Sequence, residues 1–227
     1  MIRLPDPGDL PISLWLVDLE AASSANDLTA LDTLSCAQRH RANRFHHAHD
    51  ARRYVARHQA LRLLLAEATH IAPEDLQFVE GEHGKPLLRL NNPPHFNMSH
   101  SGGWALIGIC SDASIGVDIE LPRPIQDLTA LAKRSLSSAE MTDLAGLPEG
   151  RQTSAFLQCW TRKEACLKAI GSGLSIEPGT FDAGIEKEMR VVSIDSAPNK
   201  HLCSVVGIAL PIDALAAVAL TRQARII

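Results

Sequence analysis

The chain has 227 residues, 45% of them hydrophobic, and a formal net charge of −4. That is enough for one large domain or two small ones with a packed core, and the acidic balance argues against a general nucleic-acid binder. Five cysteines (Cys36, Cys110, Cys159, Cys166, Cys203) show no C-x-x-C pair. The first residues lack the basic-then-apolar pattern of a leader, and no apolar run reaches the ~20 residues of a membrane span. The expectation is a cytoplasmic protein with reduced thiols and neither a membrane nor a nucleic-acid partner.

In chain order, "ISLWLVDLE" predicts a first strand, and residues 27–44 read as broken helix. "DARRYVARHQALRLLLAEA" (50–68) predicts an amphipathic helix, with Tyr54, Leu61, Leu64 and Leu65 at helical spacing. "LQFVEGEHGKPLLRL" predicts two short strands around a glycine-containing turn. "FNMSHS" and "WALIGIC" are strand candidates joined by Gly102 and Gly103, and "SIGVDIE" (114–120) is another. Residues 125–133 and 137–145 read as helices. "TSAFLQCWTRKEACLKAI" (153–170) predicts a second long amphipathic helix closed by Gly171 and Gly173. "MRVVSID" and "HLCSVVGIAL" predict strands. "DALAAVAL" is ambiguous, because its alanines favour helix.

The sequence echoes itself. "VDLEAASSANDLTAL" (17–31) matches "VDIELPRPIQDLTAL" (117–131), and "LSCAQ" (34–38) matches "LSSAE" (136–140), with a long helix following in each case. Two related halves are expected, with a ligand cleft between them. Carrying the second offset forward sets Glu164 opposite Arg62. The first half then has Asp18 and Glu20 but a cation in place of a third carboxylate.

On "SIGVDIE", Ile115, Val117 and Ile119 share one face, and Asp118 and Glu120 share the other. Two adjacent carboxylates suit a hard cation, although a solvated strand face would carry the same pair. Glu164 and Lys168 are spaced i, i+4 on one helix face, near Trp160 and Lys163, which is also a common surface pairing. In "HFNMSHSGGW", Phe96, Met98 and His100 face one way and Asn97, Ser99 and Ser101 the other, offering donors for phosphate oxygens. A Ser–His hydrolase is disfavoured, since Ser99 and His100 point apart and no G-x-S-x-G elbow exists. "GEHGKP" could close over a flat ring. His46 and Asp50 could chelate, but nothing completes a zinc set. Arg41, Arg44, Arg52 and Arg53 make a local basic patch suited to a phosphate-bearing small molecule, or a solvated helix face.

Together, "GKP", "FNMSHS", "GVDIE" and "WTRKEACLKAIGSGL" occur in the order of the 4′-phosphopantetheinyl transferases. The length and internal duplication resemble the two-domain Sfp-type branch rather than the short trimeric type. The resemblance runs from about Arg39 to Leu174. It implies an α+β pseudo-dimer, each half a small, mainly antiparallel sheet packed on a long helix. The halves would be 1–113, giving nucleotide contacts, and 114–227, giving the metal carboxylates and catalytic helix. It implies a monomer using coenzyme A as donor and an apo acyl or peptidyl carrier protein as acceptor, with Mg²⁺ or Mn²⁺.

By the same resemblance Asp118, Glu120 and Glu164 hold the metal, and Glu164 and Lys168 are catalytic, with Glu164 or a metal-bound water as the base. Lys168 and His100 neutralise phosphate charge. Ser99, His100 and Arg41 approach the 3′-phosphate, Gly84, Lys85 and Pro86 line the adenine, and Arg53 supports the CoA phosphates. Two departures stand out. Gln38 occupies a position where some relatives have lysine near the 3′-phosphate, and "RSLSSAE" lacks the aromatics of the family segment leading to the carrier. The alternative is a non-catalytic CoA- or nucleotide-binding regulator on the same fold.

Overall fold

A computed structural model describes residues 1–7, 10–25, 31–196 and 199–221. Residues 27–30 of the first "DLTAL" and the chain end at 222–227 lie outside them. Strands β1 (Ile2–Leu4), β2 (Ile12–Asp18), β5 (His95–Ser101) and β6 (Trp104–Cys110) form an antiparallel sheet in the order β1-β2-β6-β5. β7 (Ser114–Glu120), β8 (Arg190–Ser196), β9 (Asn199–Gly207) and β10 (Leu215–Thr221) form a second one in the order β7-β10-β9-β8. β3 (Phe78–Glu80) and β4 (Pro86–Leu88) make a small hairpin of their own.

The first strand is shorter than its sequence suggests. It stops at Asp18, whose Oδ1 accepts from the backbone N–H groups of Glu20 and Ala21, each at 3.0 Å, and so caps helix α1 (Leu19–Ala25). "DALAAVAL" resolves as β10, buried between β7 and β9. Its small side chains override helix propensity because Ala217 and Ala219 lie against Ala165 and Ala169 of the neighbouring helix.

Each half carries one long helix, α3 (Ala48–Thr69) and α6 (Glu149–Ile170), each of 22 residues. Both end in a left-handed residue, His70 at φ 58° and Gly171 at φ 79°. α3 covers the first sheet through Ala56, Ala60, Leu61, Leu64 and Leu65, against Val17, Phe96, Ala105 and Ile107. α6 covers the second through Ala165, Cys166 and Ala169, against Val192, Ile194, Cys203 and Val205. The opposite faces of the two sheets share a core of Leu14, Leu16, Leu106, Ile115, Val117, Ile119 and Val218. The architecture is α+β with two similar halves.

The repeat register differs by one residue from the one suggested by "VDLE" and "VDIE". Leu14 and Leu16 enter the inter-sheet core as Ile115 and Val117 do. Val17 faces α3, and Asp118 faces Lys168 on α6. The structural counterpart of Asp118 is therefore Val17, not Asp18; a one-residue slip turns every side chain to the other face. The long helices follow the same shift, 48 to 149 and 69 to 170, which pairs Arg62 with Lys163 and Glu164 with Leu63.

The contacts of Arg62 and Lys163 repeat too. The residues preceding each long helix form capping boxes, Ser35 with Gln38 before α2 (Cys36–Ala42) and Ser137 with Glu140 before α5 (Ser138–Ala145). Buried Arg62 donates to Gln38 Oε1 at 2.9 Å and to the carbonyls of Pro73 and Leu76, over the Phe78 ring. Buried Lys163 pairs with Glu140 Oε2 at 2.7 Å and donates to the carbonyls of Pro178 and Phe181, over the Phe181 ring. Lys163 is thus an internal strut, although its sequence neighbours carry the candidate chemistry. α4 (Leu128–Ser135) packs on α6 through Ala132, with Leu136 just beyond its end, against Phe156 and Leu157.

Gly116 sets the depth of the site. A Cβ there would lie 2.0 Å from the Ala165 carbonyl oxygen and 2.4 Å from the Ala169 nitrogen, so α6 rests directly on the β7 backbone. Gly116→Ala should cost about 3 kcal/mol by overpacking and lift α6, separating Lys168 from Asp118. Chemical denaturation checks the first effect; any catalytic assay checks the second. Unchanged stability would refute the contact.

His58 on α3 adds a pH dependence. Its ring lies tilted against Tyr54 with centroids 4.0 Å apart, and Nδ1–H donates to the Tyr54 carbonyl at 2.8 Å. Burial, aided by nearby arginines, lowers its pKa to about 4. The unfolded chain takes up this proton near pH 6.5, so stability is complete above that pH and is lost as pH falls towards 4. This histidine should account for about 2 kcal/mol of loss between pH 7 and 5. Denaturant titrations of His58→Phe at both pH values should show that part of the slope gone.

Candidate active site

The cleft lies where β5 runs beside β7 with the C-terminal part of α6 above. No backbone ladder joins β5 to β7 among the described residues; the side chains of "FNMSHS" do so. Asn97 Oδ1 accepts from the Val117 N–H at 2.9 Å. Ser99 Oγ donates to Asp118 Oδ1 at 2.7 Å, and Ser101 Oγ donates to Glu120 Oε2 at 3.2 Å while accepting from the Leu121 N–H at 3.1 Å. Ser99 is thereby committed to a carboxylate and faces away from His100, as strand alternation requires. Asn97 and Ser101, which the alternation of the motif places with Ser99 as donors for phosphate oxygens, are instead site-building residues bonded to β7 and to the residue after it.

Asp118, Glu120, Glu164, Lys168, Ser99 and His100 line one cleft of about 420 Å³, with Met98 and Trp160 among its walls. Lys168 Nζ lies 2.5 Å from Asp118 Oδ1, 3.2 Å from Ser99 Oγ and 3.9 Å from Glu164 Oε2. Asp118 Oδ2 is buried and has no partner among the described residues, so this carboxylate holds one free lone-pair edge in a dry place. Burial raises the Asp118 pKa, opposed by Lys168 and Ser99. Glu164 is raised by burial first and then by the charges of Asp118 and Glu120, again opposed by Lys168. Glu120 is raised by burial and by Asp118. Three carboxylates thus feel one another across the cleft, with one ammonium between them. Among the described residues no three acidic, His or Cys side chains stand close enough to form a ready-made metal cage. The donor chemistry is nevertheless that of a hard cation: all oxygen, with one oxygen unused.

Gly84, Lys85 and Pro86 line an adjoining pocket of about 300 Å³, which shares Glu164 and Lys168 with the cleft. The Lys85 ammonium does not point into it. It donates to Ser114 Oγ (2.8 Å) and to the carbonyls of Ile115 (3.1 Å), Lys168 (2.7 Å) and Ala169 (3.2 Å), tying the turn to β7 and to the end of α6. Burial lowers its pKa to about 8. Arg53 is engaged by Glu20, with Nε 2.6 Å from Oε1. Arg41 lies over the Tyr54 ring, 5.8 Å from its centroid. Neither arginine lines the two pockets. Gln38 is taken up by its capping box and by Arg62. His46 meets the His47 ring edge-on, His47 stacks on His49, and His49 pairs with Asp50 at 3.1 Å.

Two family models match, one on each half. Residues 21–111 match the N-terminal region of 4′-phosphopantetheinyl transferases, and residues 114–204 match the 4′-phosphopantetheinyl transferase superfamily. The chain is 36% identical over 181 residues to the 4′-phosphopantetheinyl transferase HetI of Nostoc sp., covering 76% of each protein. It is 33% identical over 168 residues to the 4′-phosphopantetheinyl transferase Sfp of Bacillus subtilis, covering 74% of this chain and 73% of Sfp. A protein of Synechocystis sp. is 40% identical over 144 residues, which span 63% of this chain and 58% of that one. With both halves matched in order and the motif residues gathered at one cleft, the chain belongs to the Sfp-type 4′-phosphopantetheinyl transferase family.

Proposed function

We propose that this protein transfers the 4′-phosphopantetheine group of coenzyme A to a serine of an apo carrier protein and releases adenosine 3′,5′-bisphosphate. The observation that carries this reading is the unpartnered, buried Oδ2 of Asp118, in one cleft with Glu120, Glu164 and Lys168. Residues 1–113 would give nucleotide contacts, and residues 114–227 the carboxylates and the catalytic helix.

Asp118, Glu120 and Glu164 would hold Mg²⁺, or Mn²⁺, which accepts the same oxygens. When bound, the ion neutralises the CoA pyrophosphate and the leaving phosphate. Lys168 leaves Asp118 to meet a phosphate oxygen, a move of a few ångströms for a flexible ammonium. His100 faces the same charge. Gly84 and Pro86 bound the adenine pocket, and the side chain of Lys85 fixes their turn. Glu164, with its pKa raised, takes the proton of the attacking serine hydroxyl. The serine oxygen forms a bond to the phosphorus bearing the pantetheine arm, and the bond to the bridging oxygen breaks towards the nucleotide. The enzyme would act as a cytoplasmic monomer.

The test is to incubate the protein with CoA, Mg²⁺ and several apo carriers and to weigh the carriers. A gain of one phosphopantetheine mass supports transfer. No gain on any carrier, with CoA still bound, overturns it in favour of a CoA-binding regulator.

A further inference from the structure

Two glycine-bearing turns, "GEHGKP" and the "GSG" after α6, meet at one joint. His83 (φ 60°) and Gly84 (φ 80°) shape the turn that carries Lys85, and Gly171 (φ 79°) and Gly173 (φ 58°) shape the chain after α6. A Cβ on Gly171 would lie 3.2 Å from Lys85 Cδ, and one on Gly173 would lie 3.5 Å from His83 Cβ, so the two turns rest on each other. Across the joint the Lys85 ammonium donates to the carbonyls of Lys168 and Ala169. Ser114 Oγ accepts from the same ammonium and donates to the Ala169 carbonyl at 2.6 Å. The last carbonyls of a helix lack partners within it and mark the negative end of its dipole, so a cation is a fitting cap. The oxygens that hold Lys85 are all neutral, one hydroxyl and three carbonyls.

The joint borders both ends of the site. Gly84, Lys85 and Pro86 wall one side of the pocket read as the adenine site, and Glu164, Leu167 and Lys168 of α6 wall another. Glu164 and Lys168 also line the cleft with Asp118. A flat ring in this pocket therefore touches the turn and the reactive helix together. The turn itself belongs to the β3–β4 hairpin, which forms a two-stranded sheet of its own. Lys85 ties that hairpin to the helix end.

We propose that Lys85 is a positioning residue, a latch through which a purine seated in this pocket braces the end of α6 and holds Glu164 and Lys168 ready for transfer. This inference rests on the transfer reading and goes beyond a wall for the base. The nucleotide half of the donor, which makes no new bond, raises the rate at the other half. Remote binding energy is then used at the reacting centre. A donor with the same diphosphate and pantetheine arm but no adenosine leaves the helix end unbraced and reacts slowly. The latch is also sensitive to pH. Burial brings the Lys85 pKa down to about 8, so the ammonium is charged below that pH and loosens from the carbonyls above it. Around it, His95 on β5 and Cys203 on β9 interact with its charge. His83, Glu177, Asp195 and His201 line a second pocket that Lys85 also borders, and the Lys168 ammonium is held by Asp118.

The test compares wild type, Lys85→Met, Lys85→Arg and Ser114→Ala, each checked by a thermal melt. Transfer to one carrier is timed from CoA and from the methyl diphosphate of pantetheine, which lacks adenosine. Lys85→Met should lower kcat for CoA about 10- to 30-fold more than kcat for the truncated donor. Lys85→Arg should restore part of the difference, and Ser114→Ala, which keeps the ammonium, should show the same pattern more weakly. Equal slowing of both donors in Lys85→Met makes Lys85 a support of α6 alone and overturns the latch. From pH 7 to 9 the advantage of CoA should shrink in wild type and stay level in Lys85→Arg, which remains charged. A fall of the same size in Lys85→Arg assigns the titration to another group, such as Cys203, and overturns the role of the ammonium. A readout without transfer is amide hydrogen exchange across residues 167–171. Adenosine 3′,5′-bisphosphate should slow it in wild type but not in Lys85→Met, and equal protection in both overturns the proposal. If the wild type transfers from neither donor, the transfer reading fails, and the exchange comparison still decides the latch.

Discussion

Asp118→Ala should lower the transfer rate by at least about 100-fold while the protein stays folded. The two halves of this expectation have separate causes. Asp118 provides the buried oxygen without a partner and anchors Lys168, so its loss removes a candidate metal ligand and frees the ammonium. The fold tolerates the change because the burial of this carboxylate is itself unfavourable, as its raised pKa shows. The Lys168 side chain left behind is 29% exposed and can reach water. Transfer followed by carrier mass, beside a thermal melt, separates the effects. Full transfer by a folded Asp118→Ala protein would remove the carboxylate from the mechanism, and Glu164→Gln should behave alike.

Lys163→Met should do the reverse, unfolding the protein more than it alters chemistry. Lys163 and Glu140 are both fully buried. Glu140 also accepts from the backbone N–H groups of Ser137 (2.7 Å), Ala183 (2.7 Å) and Gly184 (3.1 Å). Stranding this carboxylate should cost about 3–5 kcal/mol, a drop of roughly 10 °C in Tm for a chain of this size. The pH dependence gives a second check. Burial pushes the Glu140 pKa up, but Lys163 and the Ser137 N–H overcome it, and the net shift is downward. In the native protein the pair therefore contributes stability above the unfolded carboxylate pKa, lost as pH falls through the lowered one. Without Lys163 the carboxyl is raised instead, so the deficit of the variant should shrink with acid. Glu140→Gln combined with Lys163→Met should recover part of the loss. An additive double mutant would refute the coupling.

These two residues show how far the sequence could be read. The site types and their order were legible: acids on a strand, an acid and a lysine one turn apart on a helix, hydroxyls alternating with a histidine. All of them meet at the cleft. Which lysine of "WTRKEACLK" does what was not legible, since Lys163 and Lys168 differ by five residues, roughly 140° around a helix, and only packing says which side is inside. The register of the repeat was misread for a similar reason. The letters of "VDLE" and "VDIE" align, but burial aligns Val17 with Asp118, and letters do not reveal a face. The sequence likewise showed Asn97 and Ser101 only as donors on one strand face and not what they hold, because their partners lie in a strand of the other half.

That seam has a consequence for how such a protein can change. Two of the three β5 side chains that stitch the halves together hold the carboxylates of the cleft. Cohesion and chemistry therefore draw on the same hydroxyls. A half expressed alone would present an unmatched polar edge, and a hybrid built from halves of different parents would have to match both the stitching and the acids it supports. The two similar halves therefore do not trade places: one is the clasp for the other's reactive strand.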